Sequence, residues 1–261
     1  MLRLQRQRGF NLVELVVIIV ILGILMAGTA VYITNSVTAY SDVARRDQLT
    51  ALGRVTVERL ARELRTALPN SIRIQNNCIE FLPILSGSAY LTLPVDSAAT
   101  TFTALDFSLP SFTGNAYVVV YPYSITDLYA ANNPGPIVSY ANKTGSPTAT
   151  VTLGSSFQFN RHAPQQRFYI VNDPVSYCVV GTNLNRYRGY SLSSSQSTPP
   201  TATAQLVAQN IQTSDNSTTV IPFSYSAGTL QRNGIIALDF RFLIQGDWIR
   251  LYHEVQVRNV M

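Results

Sequence analysis

The sequence is poor in the side chains that carry most enzymatic chemistry. Its 261 residues include two histidines, His162 and His253, and two cysteines, Cys78 and Cys178. No Gly-x-Ser-x-Gly elbow is present for a serine nucleophile. His253-Glu254 lacks the second histidine of a zinc-protease helix, and no P-loop is present to cradle a nucleotide. The spacings between Cys78, His162, Cys178 and His253 are 84, 16 and 75 residues, which match no compact zinc pattern. Asp215-Asn216-Ser217 lacks the rest of a calcium loop and reads as a polar turn. An enzyme is therefore not expected, and no catalytic residue, cofactor or metal ligand is assigned. Lysine is nearly missing too: Lys143 is the only one among 19 basic residues. Neither an internal repeat nor a second membrane-length apolar segment is present.

The sequence does have a strongly asymmetric beginning. Arg3, Arg6 and Arg8 precede Gly9-Phe10, and the first acid is Glu14. From Leu15 to Ile33 the only clearly polar side chain is Thr29. Nineteen residues at helical rise span about 28 Å, close to the hydrocarbon thickness of a bilayer. The acid-free arginine cluster places the start of the chain in the cytoplasm and the remainder across the membrane. A carboxylate at the lip of such a segment is costly without a partner. An ordinary signal peptide has an apolar stretch of about 7–15 residues followed by its cleavage site. Here the stretch is longer, and the small residue comes before it.

Past the apolar run the helical pattern continues to Leu68 and closes at Pro69-Asn70. Leu49, Leu52, Leu60, Leu64 and Leu68 form one stripe, with Thr56 in the gap. Arg54, Glu58 and Arg62 lie four apart on another side, as do Arg59 and Glu63, the spacing of an exposed, charge-paired face. Pro69 stops the helix and pushes Leu68 out of helical geometry. One helix from about Phe10 to about Ala67 is predicted. Gly23 and Gly28 lower its local propensity.

Beyond Asn70, short runs rich in β-branched and aromatic residues predict strands at Ile79–Ile84, Tyr117–Tyr121, Thr148–Leu153, Phe168–Val171 and Val175–Val180. Ile236–Ile244 and Trp248–Val257 flank Gln245-Gly246-Asp247 as a hairpin. In its second strand Ile249, Leu251, Val255 and Val257 share one face with His253, which reads as a hydrogen-bonded or edge histidine. Ala130–Ser146 and Ser191–Thr203 read as long surface loops. The predicted fold class is α+β, a long amino-terminal helix, its first half transmembrane, on a mostly antiparallel sheet. Cys78 and Cys178 both fall in the outward part, where an oxidising compartment favours one disulfide; two free thiols are the alternative.

Arg8-Gly9-Phe10-Asn11-Leu12-Val13-Glu14-Leu15 resembles the class III signal of type IV pilins and pseudopilins. That resemblance implies that a prepilin peptidase cuts after Gly9 and methylates the new amino terminus at Phe10. It implies that Glu14 neutralises the amino terminus of a neighbouring subunit during assembly. Asn11 departs from the Thr many members carry. The implied divisions are a leader at 1–9, a transmembrane and filament-core helix at 10–36, its amphipathic continuation at 37–69 and a periplasmic or extracellular head at 70–261. Loss of the leader removes Arg3, Arg6 and Arg8 and lowers the formal charge from +5 to +2, so the basic balance argues only weakly for nucleic acid.

Within that superfamily the stretch from Glu58 to Ser71, the run Cys78-Ile79-Glu80-Phe81-Leu82-Pro83-Ile84 and the run Pro174-Val175-Ser176-Tyr177-Cys178-Val179 are similar to MshO-type minor pilins of MSHA pili. Similar segments occur in J-type pseudopilins of type II secretion systems and in PilW-type minor pilins. The resemblance implies partners in the prepilin peptidase, other pilins and an inner-membrane assembly platform. It implies residence in a bacterial inner membrane and then a pilus on the cell surface. A tip adhesin is an alternative role: Tyr187, Tyr190 and Phe223 near Arg186 and Arg188 are candidates to hold glycan rather than DNA, although such residues more often read as half-buried strand positions.

Overall fold

The structure is a computed structural model that describes residues 11–215, 218–228 and 232–257. Helix α1 runs unbroken from Leu12 to Arg65. It is followed by β1 (Arg73–Gln75), β2 (Cys78–Phe81), β3 (Ile84–Ala89), β4 (Ala99–Leu105), β5 (Ala116–Val119) and the short helix α2 (Ile125–Ala130). Next come β6 (Ile137–Thr144), β7 (Thr148–Phe157), β8 (Arg167–Asn172), β9 (Val175–Val180), β10 (Asn183–Tyr187) and β11 (Gln205–Ala208). The last elements are β12 (Ser214–Asp215), β13 (Thr218–Thr219), β14 (Phe223–Ser226), β15 (Gly234–Ile244) and β16 (Asp247–Val257). The layout is α+β, a long apolar amino-terminal helix with mostly antiparallel sheets, consistent with a pilin-like fold.

The chain divides into two compact units between Gln48 and Leu49. In the first, α1 carries aliphatic side chains on all sides, and they are exposed. Its few hydroxyls are satisfied inside the helix. Thr29 donates to the Leu25 carbonyl at 2.9 Å, and Ser36 donates to Tyr32 at 2.8 Å. Such back-bonding removes the cost of a polar group in an apolar solvent. Gly23 and Gly28 both face open space.

In the second unit, α1 from Leu49 onward buries Leu49, Gly53, Thr56, Val57, Leu60, Ala61 and Leu64. Thr56 takes its place in the stripe because its hydroxyl donates to the Leu52 carbonyl at 2.7 Å. The helix ends at Arg65, two residues short of the expected Ala67. There Thr66 and Ala67 donate their amides to the Glu63 and Leu64 carbonyls, three residues back, and the Thr66 hydroxyl donates to the Glu63 carbonyl as well. The Glu63 carboxylate accepts from Arg186 Nε of β10 at 3.0 Å.

Three sheets build the rest of this unit, with strand orders β1-β2-β9-β10-β11, β3-β8-β5-β6-β7-β4 and β14-β15-β16, beside the two-residue ladder β12–β13. The helix stripe packs with Phe81, Tyr177, Phe240, Phe242 and Val255 in one core. A second core on the six-stranded sheet is lined by Phe102, Phe107, Phe157, Phe159 and Phe168, whose rings meet edge to face. At Gly53 the helix lies close against the sheet. A Cβ there would overlap Leu251 Cδ1 and lie 3.1 Å from Phe242 Cε2.

Several sequence expectations need correction. The run Ile79–Ile84 is two strands: Leu82-Pro83 carries the chain from the five-stranded to the six-stranded sheet, because Pro83 has no amide to donate. Ala130–Ser146 is not a loop throughout. It contains β6, whose Ile137 and Val138 are buried against β5, while its later residues look outward and read as polar. Ser191–Thr203 has no strand, yet it is docked: Gln196 and Pro200 are buried. In the terminal hairpin Ile244 pairs with Asp247, so the turn is only Gln245-Gly246. Both have positive φ, 49° and 91°, the requirement of a tight hairpin turn. Burial alternates along β16 as its sequence predicts.

Candidate functional site

Two regions concentrate unusual chemistry. The first is the beginning of α1. Gly9 and Phe10, the expected cleavage and methylation residues, lie outside the described residues. Asn11 precedes the helix, and its carbonyl accepts the Leu15 amide at 3.2 Å. Glu14 sits in the first turn, where the helix dipole favours an anion, and its side chain is exposed. Helix α1 has a mean hydropathy of 2.8 over its most apolar window and is long enough to cross a membrane. The segment thus joins one carboxylate to a helix whose apolar sides have no cover within the described residues.

The second region is in the head, around β2 and β9. Cys78 and Cys178 stand directly opposite in the ladder and are joined by a disulfide across a sequence separation of 100. That bond removes both thiols from any Cys/His ligand set. Two residues along the same ladder, Glu80 faces Ser176. The Glu80 carboxylate is 1% exposed, the most deeply buried charge in the described head. Arg73 lies opposite it on β1 and contacts Oε1 through Nε at 2.9 Å and a terminal nitrogen at 2.6 Å. Ser176 and Tyr190 donate hydroxyls to Oε2 at 3.3 and 3.2 Å. The Arg73 guanidinium also lies 3.7 Å from the centre of the Tyr129 ring, and the Tyr129 hydroxyl donates to the Ser71 carbonyl at 2.7 Å. Burial, and then the nearby Glu80 charge, push the Tyr129 and Tyr190 phenols above their ordinary range. The network's polar groups pair with one another and, through Arg73, with the Ser193 and Ser194 carbonyls; it holds structure.

The sequence reading missed this network. The signal was available. Glu80 alternates between Ile79 and Phe81, and a tight turn at Asn76-Asn77 would set Arg73 opposite it.

The remaining candidates are dispersed. Tyr187 and Phe223 are buried in cores, Tyr190 serves Glu80, and Arg186 is engaged by Glu63. The candidate glycan or DNA residues are thus not gathered on one surface: Phe223 and Tyr187 lie in two different cores, Tyr190 is half-buried beside Glu80 and Arg188 is exposed. His162 Nδ1 lies 3.3 Å from the Tyr90 hydroxyl, and His253 is half-buried opposite Leu238. Of the Asp215-Asn216-Ser217 turn, the last two residues lie outside the described residues. An open groove of about 440 Å³ runs along α1 beside Val55, Glu58, Arg59, Arg62 and Glu63.

The family model for the prokaryotic N-terminal methylation motif matches residues 4–30. That match covers the beginning of the chain alone, and it bears on an amino-terminal methylation signal of the kind that type IV pilins carry. The apolar helix is consistent with membrane anchoring. No curated protein and no solved structure matches the chain.

Proposed function

We propose that this chain is a minor pilin that starts, caps or completes a type IV pilus of the MSHA kind. Residues 1–9 are its leader, 10–36 the membrane and filament-core helix, 37–69 the helix continuation and 70–261 the head. The observation that carries this reading is the methylation motif at residues 4–30, which runs into an exposed, membrane-length apolar helix with an acid in its first turn. Cleavage after Gly9 frees an ammonium at Phe10, four residues before Glu14. A carboxylate alone in hydrocarbon costs several kcal/mol, and one that meets an ammonium costs much less. That difference draws an incoming subunit into register, so Glu14 of one copy meets the Phe10 amine of its neighbour. Helix bundling then buries the aliphatic sides of α1.

The test is Glu14→Val in a cell that makes the fibre. The variant should still lose its leader, because the peptidase reads Gly9-Phe10, but it should be depleted from sheared fibres at least tenfold. Equal incorporation would remove Glu14 from the mechanism.

The methylation motif serves a second reading equally, a J-type pseudopilin of a type II secretion apparatus. Deletion separates the two. Loss of surface fibres supports the pilus, and loss of a secreted hydrolase with fibres intact supports the secretion apparatus.

A further inference from the structure

The loop Ser191–Thr203 lies over the Cys78–Cys178 disulfide and is tied there at four points. Arg73 donates one terminal nitrogen to the Ser193 carbonyl and the other to the Ser194 carbonyl, each at 2.9 Å. Asn76 Nδ2 donates to Thr198 Oγ1 at 2.9 Å. Gln196, itself 8% exposed, donates Nε2 to the Cys78 carbonyl at 3.3 Å. Ala202 packs with the two sulfur residues and Tyr187. Beneath this cover Cys78 is 3% exposed and Cys178 is fully buried.

The loop contributes no ladder to any sheet, and most of its own residues are exposed. Its attachment rests on a few hydrogen bonds and a few apolar contacts, Leu192 against the Leu68–Leu82 core, buried Pro200, and Ala202 against the disulfide, whereas β2 and β9 beneath it are held by sheet pairing and extensive core packing. Segments with that balance open at lower free energy than the elements they cover. Arg73 is the shared fastening, since one guanidinium holds the buried Glu80 carboxylate and two strap carbonyls together. A planar fork can do this; an ammonium on a flexible stem cannot satisfy all three in fixed geometry.

We propose that Ser191–Thr203 is a strap that gates the disulfide, with Arg73 as its latch. With the strap down, no thiolate reaches either sulfur. With it up, exchange proceeds while the sheets stay folded. The inference is independent of the pilin reading.

The chemistry that reports it is reduction by dithiothreitol. The reagent's first thiolate attacks one sulfur and displaces the other as a thiolate. Its second thiol then closes the reagent to a cyclic disulfide. Two electrons pass to the protein, and Cys78 and Cys178 emerge as thiols.

The experiment uses the full chain in detergent micelles, with samples quenched by iodoacetamide at intervals and scored by mass. Arg73→Lys keeps a cation beside Glu80 but loses the fork, and it should speed reduction at least tenfold. Gln196→Ala leaves the Arg73–Glu80 pair untouched and should speed it about two- to tenfold, the range for loss of one ordinary hydrogen bond. Reduction of the unmutated chain should depend on urea much less steeply than global unfolding does, because little surface is exposed when the strap lifts. Unchanged rates in both variants would overturn the proposal. So would a urea dependence as steep as that of global unfolding, which would mean that the bond is reached only when the head unfolds.

Discussion

Glu80 is the position where a change of a single atom type should cost most. Its carboxylate is almost fully buried and accepts from Arg73, Ser176 and Tyr190. Glu80→Gln keeps the shape and one acceptor oxygen, but it removes the charge that balances Arg73, whose own side chain is 12% exposed. Each hydrogen bond to a charged group contributes about 1.5–3 kcal/mol, and breaking one side of a buried pair costs about 3–5 kcal/mol. Gln retains part of the hydrogen bonding, so about 2–4 kcal/mol is expected, and Glu80→Ala should reach about 3–5 kcal/mol. For a head of this size each kcal/mol moves the melting temperature by about 2–4 °C. Urea and thermal unfolding followed by circular dichroism would measure it. The pair can be isolated by combining Glu80→Leu with Arg73→Met. The double variant should be destabilised less than the sum of the singles by about 2 kcal/mol or more, because neither then leaves an orphan charge. A Glu80→Gln variant within about 0.5 kcal/mol of the parent, the range usual for surface changes, or strictly additive singles, would refute the reasoning.

Gly53→Val should destabilise the head by about 1–3 kcal/mol, since a branched side chain must displace Leu251 and press on Phe242; an unchanged urea midpoint would mean that the helix does not approach the sheet so closely. The tyrosines give a pH prediction. Burial raises the phenols of Tyr129, Tyr177 and Tyr190 above their ordinary value of 10.0. The native state therefore holds protons that the unfolded chain has lost, and stability falls as pH rises past about 10. An ultraviolet titration should show part of the phenolate signal delayed until the head unfolds, and a single transition centred near pH 10 for all fourteen tyrosines would contradict it.

The sequence announced the elements whose pattern is unmixed. A membrane-length aliphatic run without proline satisfies its backbone as a helix in apolar surroundings, and a helical stripe follows it, so α1 was readable nearly to its last turn. β9 and the β15–β16 hairpin were readable because one face of each strand is mostly apolar, with His253 the interruption in β16, and Gly246 marks the turn. β6 was hidden because only Ile137 and Val138 are buried, between a Pro/Gly-rich approach and an outward-facing polar end. The break at Leu82-Pro83 went unread although Pro83 marks it, because Ile79, Phe81, Leu82 and Ile84 make one apolar run across it. Gly53 drew no notice among the helix positions, because a close approach depends on residues nearly 200 positions away. The proposed leader, by contrast, rests on a local motif of a few residues and is independent of the fold.

If the chain enters a fibre only after its front end has been trimmed and methylated, the mass of the intact protein purified from membranes must show it. In cells with an active prepilin peptidase, that mass should lack Met1 to Gly9 and carry one added methyl at the Phe10 amine. A chain that keeps those nine residues in such cells would contradict the pilin reading.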